Sequence, residues 1–412
     1  MRNRVLLGTA FFLLAGLAAA RSLLVTHYDV AATVDPAHNS LSAVVKITVP
    51  SSDVRAANVF LMGGTYSVSS VDTGPRAAAE VARTDDPFQG LQKITVRPEA
   101  HRRGDLRIRL RYAGPLAPSG DPPLNSITPD LVELNLDSLW VPVREGFTTK
   151  FTVDAKIRGV PPDLTVVALG TVRRSGRDVV IRRGTPDIDL AFAAMRGPHR
   201  AAAEGFEFYA ADISAGSSDV YRRHGLAAMK FLESWFGAMP GRPARIVVVR
   251  RPRTSGYSRR GYIVLTESGA LAPEADAAEF IAHELAHAWW SSGDPTTEHR
   301  WLSESIAQYV ALRYVEAEFG LNARNRILDR MRENARKAGP ILGAGVRDDA
   351  ELYNKGPLLL FGLEEGIGRA RLDSLLADLA HHPPDVTAEF MRALASIAGE
   401  EQARAFEQAM RQ

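Results

Sequence analysis

The chain has 412 residues, 45% of them hydrophobic and 24% charged, which excludes a disordered, collagenous or multi-span membrane protein. Its 50 basic and 48 acidic side chains leave a net charge of +2, with no basic excess to suit a nucleic acid. Cysteine is absent, so disulfides, thiolate metal sites and cysteine nucleophiles are excluded as well. Arg supplies 43 of the basic residues and is scattered over every segment, which marks genomic base composition and not a binding surface.

The first twenty residues read as an export signal. Arg2 and Arg4 precede a largely apolar run of 16 residues, Val5 to Ala20, and Ala18-Ala19-Ala20 offers small residues to a signal peptidase. A spanning helix wants about 20 residues, which favours a cleaved signal over an uncleaved anchor. The expected location is therefore periplasmic or secreted, with no stable membrane span after cleavage.

From about Leu23 to Ala194 the hydrophobic period is two. Leu106, Ile108 and Leu110 alternate with Arg107, Arg109 and Arg111, as in a strand with one wet face. Ala43 to Val49, Lys93 to Val96 and Phe151 to Ala155 read as strands too, and Pro, Gly, Ser and Asp clusters separate them. An N-terminal antiparallel β sandwich or saddle is expected over residues 21–200, with a long loop from Gly114 to Pro129. The period turns helical near Ala215. After two more strands, Ile246 to Val249 and Tyr262 to Leu265, nearly everything reads as helix: Ala275–Trp290, Leu302–Phe319, Asn325–Ala338, Gly356–Ile367, Leu372–Ala380, Ala388–Ile397 and Glu401–Met410. Residues 201–412 form the second expected domain, so the fold class is α+β.

His283-Glu284-Leu285-Ala286-His287 falls inside the first of these later helices. Residues at i and i+4 sit one above the other, so both imidazoles can reach one ion at the zinc–nitrogen distance of about 2.0–2.1 Å. Glu284 lies beside them and can take a proton from water activated by the metal. A catalytic zinc needs a third protein ligand, and Glu298, His299 and Glu304 are the candidates. The first two follow a polar loop, Ser291 to Thr297. Glu304 lies on a helix, where a rigid backbone can fix it, and is the favoured choice.

These residues resemble the gluzincin aminopeptidases, the group that contains aminopeptidase N and leukotriene hydrolase. In that family a Trp-Leu-Asn-Glu segment supplies the zinc glutamate, and here it reads Trp301-Leu302-Ser303-Glu304. Sixteen residues separate His287 from Glu304, fewer than the family usually has. Tyr353-Asn354-Lys355-Gly356 matches the family's Tyr-Glu-Lys-Gly segment, whose Tyr stabilises the transition state. Trp140-Val141-Pro142 resembles its Trp-x-Pro segment. The resemblance implies a β sandwich or saddle followed by a thermolysin-like, mainly helical catalytic domain. It also implies one Zn2+ per chain on His283, His287 and Glu304, and Glu284 and Tyr353 as catalytic residues.

Two departures stand out. The family's Gly-x-Met-Glu-Asn strand, whose Glu holds the substrate's free amino terminus, corresponds to Gly256-Tyr257-Ser258-Arg259-Arg260, with Arg259 in place of the acid. Gly256, Tyr257, Ser258 and Arg259 are thus candidate substrate-binding residues. The large C-terminal helical domain of the longer relatives is also missing. A smaller departure is Ala311, where relatives often carry an acid that orders one of the histidines. Plainer readings apply elsewhere. Arg250, Arg251, Arg253, Arg259 and Arg260 read mostly as a solvated face, Arg259 with its functional reading by position besides, Glu364-Glu365 as an exposed pair, and Trp289-Trp290 as packing between helix and sheet.

The expected function is a zinc metallopeptidase acting on a peptide or protein, with altered amino-terminus recognition and with exopeptidase or endopeptidase action left open. The alternatives are a non-catalytic zinc-binding interaction module and a hydrolase of a non-peptide bond.

Overall fold

The computed structural model describes residues 25–84, 90–100, 103–116, 124–147, 149–211, 215–251, 255–267, 273–294, 297–343 and 348–412. The export signal and residues 117–123 of the expected loop from Gly114 to Pro129 lie outside the described residues. Ser126–Ile127, at the end of that loop, forms a short strand instead, paired with Leu131–Leu134.

The N-terminal half is built from three sheets. The largest has seven strands in the order Thr171–Ser175, Asp178–Asp187, Phe151–Arg158, Thr26–Asp35, Ser40–Val49, Leu106–Pro115, Ser67–Asp72. Alternation decides its faces: Val45, Ile47, Ile108 and Leu110 point into the core while Lys46, Arg107 and Arg109 face out. One pair breaks the antiparallel expectation, because Thr26–Asp35 runs parallel to Phe151–Arg158. Chain that returns from the other two sheets re-enters beside the first strand. Those sheets are Val143–Arg144, Asn58–Met62, Gln92–Pro98, Ala77–Arg83 and Leu164–Ala168, Phe192–Arg196, Leu131–Leu134, Ser126–Ile127. Trp140-Val141-Pro142 is pinned in the core between them. Tyr28 and Tyr112 donate from their hydroxyls to the carbonyls of Pro142 and Trp140, and the Trp140 indole donates to that of Leu190.

A fourth sheet carries the second half. Its order is His199–Ala203, Phe206–Ala210, Ala244–Val249, Tyr262–Thr266, Gly256–Arg259, and its three central strands are parallel. Five strands stand here where the sequence showed two. Ala201-Ala202-Ala203 carries helix propensity yet forms an edge strand, held by pairing with Phe206–Ala210. One face of this sheet meets the N-terminal half, with Val247, Val249, Tyr257, Tyr262 and Val264 against Val167, Leu169, Ala191, Ala193 and Met195. The other face carries the helices Ala215–Phe236 and Glu274–Ala286. Trp301–Phe319 packs against the latter, and Leu321–Asn334, Gly356–Ile367, Arg369–His381, Thr387–Ala398 and Glu400–Arg411 complete the layer. Among the described residues no helix is long and apolar enough to cross a membrane.

The helix expected to run to Trp290 stops at Ala286. Ala288 and Trp289 donate to carbonyls only three residues back, which tightens the chain into turns. Trp289 and Trp290 are then buried against Phe236, within the core shared by the helices and the fourth sheet. Glu364 also departs from its expected exposure, since it accepts from the Tyr309 hydroxyl and from Arg369.

Candidate metal centre and active site

Glu274 and Asp276 place negative charge in the first turn of Glu274–Ala286, where the helix dipole favours it. Glu274 is also tied to Arg223 and to the fully buried His224, which anchors that end of the helix. At the other end, His283 and His287 lie on one face with ring centroids 4.8 Å apart and rings nearly perpendicular. Their Nε2 atoms are 3.2 Å apart. Glu304, in the first turn of Trp301–Phe319, brings Oε2 within 3.6 Å of both.

Each histidine must present a bare nitrogen to bind a metal, and its other nitrogen decides whether it does. His287 Nδ1 is 2.9 Å from the Trp290 carbonyl, so Nδ1 carries the proton and Nε2 faces His283 and Glu304 unprotonated. Ser303, the residue before Glu304, donates to the same carbonyl. His283 Nδ1 is buried with no partner among the described residues, as the Ala311 departure would have it. Two nitrogens and a carboxylate oxygen, mutually within 4.8 Å, form the donor set that zinc takes in catalytic sites. The residues present therefore fit the metal. Burial pushes the Glu304 carboxyl up, but the charges that His287 and His283 carry when protonated, a hydrogen bond then donated by His283, and the charge of Arg300 outweigh it and hold the group down at about 2. Glu304 is thus an anion across the ordinary pH range, as a metal ligand must be. Glu298 and His299 turn elsewhere, the first to the Gly343 amide and the second to Thr387.

Glu284 is buried between this group and the edge strand Gly256–Arg259. A Cβ on Gly256 would come within 3.1 Å of Glu284 Oε1 and 2.8 Å of the Phe280 ring, so the strand can lie this close only because residue 256 has no side chain. Burial raises the Glu284 carboxyl to about 7; His287 and Arg259 oppose the rise, and Glu304 reinforces it. A carboxyl so placed can both accept and return a proton near neutrality.

Tyr353 stands across from Glu284 on a turn of π-helix, Ala350–Lys355, with its ring centroid 5.6 Å from that of His283. This turn is held to the Glu304 helix by the Ser305 hydroxyl, which donates to the Leu352 carbonyl. Gly356 permits that approach, since a Cβ there would fall 2.0 Å from Ser305 Oγ. Burial raises the phenol well above its usual pKa, the neighbouring Glu304 adds to the rise and Arg300 opposes it. The hydroxyl stays protonated and able to donate.

The edge strand divides its residues between two environments. Gly256 faces Glu284, and alternation puts Ser258 on the same side. Tyr257 and Arg259 turn to the N-terminal half, where Tyr257 packs in the seam and Arg259 Nε donates to Asp189 Oδ2 at 2.7 Å. Arg251 pairs with Glu133 in the same seam, so two of the arginines expected on a solvated face are buried ion-pair partners. Sequence reasoning missed both acids, and it missed Arg300 beside Tyr353. Only Arg300 had a local signal, as it stands four residues before Glu304 on one helix face.

No protein-family model matches the sequence. Solved structures do match over nearly the whole length. A two-domain M1 zinc metallopeptidase bound to L-arginine superposes with a TM-score of 0.70 at 19% identity, covering 94% of each chain. An M1 zinc metallopeptidase from Deinococcus radiodurans gives 0.68 at 19% identity over 95% of each chain. Yeast LTA4 hydrolase gives 0.70 at 16% identity, over 93% of this chain and 66% of its own. The fold is that of the two-domain M1 zinc metallopeptidases. In M1 terms the seven-stranded sheet and its two companions are the N-terminal domain. The HExxH helix packs on the face of the fourth sheet away from the seam, and the candidate metal ligands His283, His287 and Glu304 lie on that side.

Proposed function

We propose that the chain is an exported zinc metallopeptidase that hydrolyses peptide bonds and recognises substrate amino termini differently from its aminopeptidase-like relatives. The observation that carries the reading is the convergence of His283, His287 and Glu304 with a buried carboxyl, Glu284, on one side and a protonated phenol, Tyr353, on the other. A structural metal needs neither flanking group.

Zinc held by His283, His287 and Glu304 supplies Lewis acidity toward a carbonyl oxygen and toward water. Glu284 takes the proton of the attacking water and passes it to the leaving amine, which is one group acting as base and then acid. Tyr353 donates its hydroxyl proton in a hydrogen bond to the carbonyl oxygen as negative charge grows there. Gly256 and Ser258, on the strand beside Glu284, offer backbone groups along which an extended peptide can lie. Arg259 changes amino-terminus recognition because it turns to the seam and pairs with Asp189, which leaves the strand beside Glu284 with no acid to meet a substrate ammonium.

The test is a peptide-library digest read by mass spectrometry, with zinc content measured on the same preparation. Cleavage that tracks zinc loading and stops on chelation supports the reading. Stoichiometric zinc without cleavage of any peptide overturns it in favour of a binding module. Export rests on residues 1–20; recovery of the intact N-terminus from a cytoplasmic fraction would sink that part.

A further inference from the structure

Arg300 immediately precedes the Glu304 helix and, among the described residues, its ion pair is the local one with Glu304. Its guanidinium spans two groups of the candidate site. Nη2 lies 3.4 Å from the Tyr353 hydroxyl oxygen, at the outer edge of hydrogen-bond range, and Nε lies 3.8 Å from Glu304 Oε1. The histidines approach the other oxygen, Oε2, so Arg300 sits on the side of Glu304 away from the metal donors. Its side chain is 31% exposed, against 16% for that of Glu304.

The donor inventory gives this contact a direction. A guanidinium can only donate, and a phenol has one proton to give. Arg300 therefore donates into the Tyr353 oxygen, and the phenolic proton points to the Glu304 carboxylate, whose hydrogen bond helps to raise the phenol. We propose that Arg300 is a positioning residue for the hydrolysis, gripping the Tyr353 phenol by its oxygen so that the ring stays in place while the hydroxyl proton turns from Glu304 to the substrate carbonyl. This rests on the peptidase reading above.

The need for such a residue follows from where Tyr353 stands. Its backbone is a π-helical turn, reached from the metal-ligand helix through the Ser305 contact at Leu352. Arg300 adds a second tie at the tip of the ring, where the reaction would take place. Its planar fork holds two acceptors in two directions, whereas a lysine ammonium on a flexible stem fixes neither. The cation also lies beside the position where negative charge develops, and polarising the phenol makes it a stronger donor to that charge.

The experiment uses the zinc-loaded full chain and four variants: Arg300→Gln, Arg300→Lys, Tyr353→Phe and Arg300→Gln with Tyr353→Phe. Arg300→Gln should lower kcat by about 10- to 100-fold, the span of one charge-assisted hydrogen bond, and leave KM within about threefold. Arg300→Lys should recover only part of the loss. The double variant should be no slower than Tyr353→Phe alone, because Arg300 acts through the phenol. A second readout needs no turnover: a phosphinic peptide, whose anionic oxygen resembles the transition state, should bind more weakly to Arg300→Gln by a similar factor, with no such change in the Tyr353→Phe background. A rise in KM with kcat kept, additive losses in the double variant, or loss of zinc from Arg300→Gln would each overturn the proposal. If the wild-type chain binds zinc and the phosphinate but cleaves nothing, the peptidase reading fails alone. The phosphinate arm then still decides whether Arg300 acts through Tyr353.

Discussion

Arg251 and Glu133 form an ion pair across the seam between the two halves, with side chains only 4% and 1% exposed. Burial raises the Glu133 carboxyl above its ordinary range, and the charge and hydrogen bond of Arg251 oppose the rise. Removing one partner strands a buried charge, which costs about 3–5 kcal/mol, whereas replacing both with apolar residues is often neutral. Arg251→Met should lower the denaturation midpoint sharply, and adding Glu133→Leu should restore most of it. A single variant as stable as wild type would show that the seam admits water.

Zinc binding should separate the three ligands from their neighbours. His283→Ala, His287→Ala and Glu304→Ala should each lose stoichiometric zinc, because two histidines and one carboxylate leave no spare donor. Glu298→Ala should keep it, since that carboxylate serves the Gly343 amide. Glu284→Gln should also keep zinc while losing hydrolysis, as the amide preserves shape but accepts no proton. Metal analysis of the five proteins settles the assignment; zinc lost from Glu298→Ala would count against Glu304.

What was legible in the sequence was local. The i, i+4 histidines obey helix geometry, and strands such as Leu106–Pro115 show alternation that only one wet face explains. Glu304 was reachable because its helix has its own periodicity. Tyr353 was reachable only by resemblance, since a π-helical turn has no hydrophobic period to read. The roles of Arg251 and Arg259 were hidden for a different reason. Their partners stand 118 and 70 residues away, and nothing near an arginine in sequence tells a buried ion pair from a solvated face. Trp289 and Trp290 misled for a related reason: an apolar run looks like more helix, but tertiary burial against Phe236 ended the helix first.

Glu279, one turn before His283, predicts a pH dependence of stability. Burial raises its carboxyl from 4.5 to about 7, against the pull of Arg330 and a hydrogen bond from Gln308, with Asp276 adding to the rise. A raised carboxyl binds its proton more tightly in the folded state. Its stabilising contribution is therefore complete below about pH 4.5 and is lost as pH rises through about 7. Glu279→Gln cannot ionise and still offers an oxygen to Gln308. The variant should be more stable than wild type at pH 8, by on the order of 2–3 kcal/mol, with the gap closing toward pH 5. Denaturation at the two pH values measures it; an equal gap at both would assign the effect to packing.

Arg259 decides how the cleft meets the start of a peptide. A carboxylate at this strand position would attract a free ammonium, but here the position is cationic and its charge is matched by buried Asp189. The other acids of the seam offer little in exchange. Glu133 is taken by Arg251, and burial raises the Asp137 carboxyl above its ordinary range, with Arg259 opposing and Asp189 reinforcing the rise. A substrate ammonium at the strand beside Glu284 would lose its water and meet no carboxylate of the strand, an arrangement that costs more than it returns. An acetylated or internal segment carries no such charge. Acetylated and free versions of one peptide should therefore be cleaved at similar kcat/KM, or the acetylated one faster, and single-residue aminoacyl substrates should be poor. Arg259→Ala strands the Asp189 carboxylate near the strand, and so should shift preference toward the free amine while lowering stability. A strong preference of the wild-type chain for the free amine, unchanged in Arg259→Ala, would mean that an acid elsewhere receives the ammonium and that Arg259 is only a brace between the two halves.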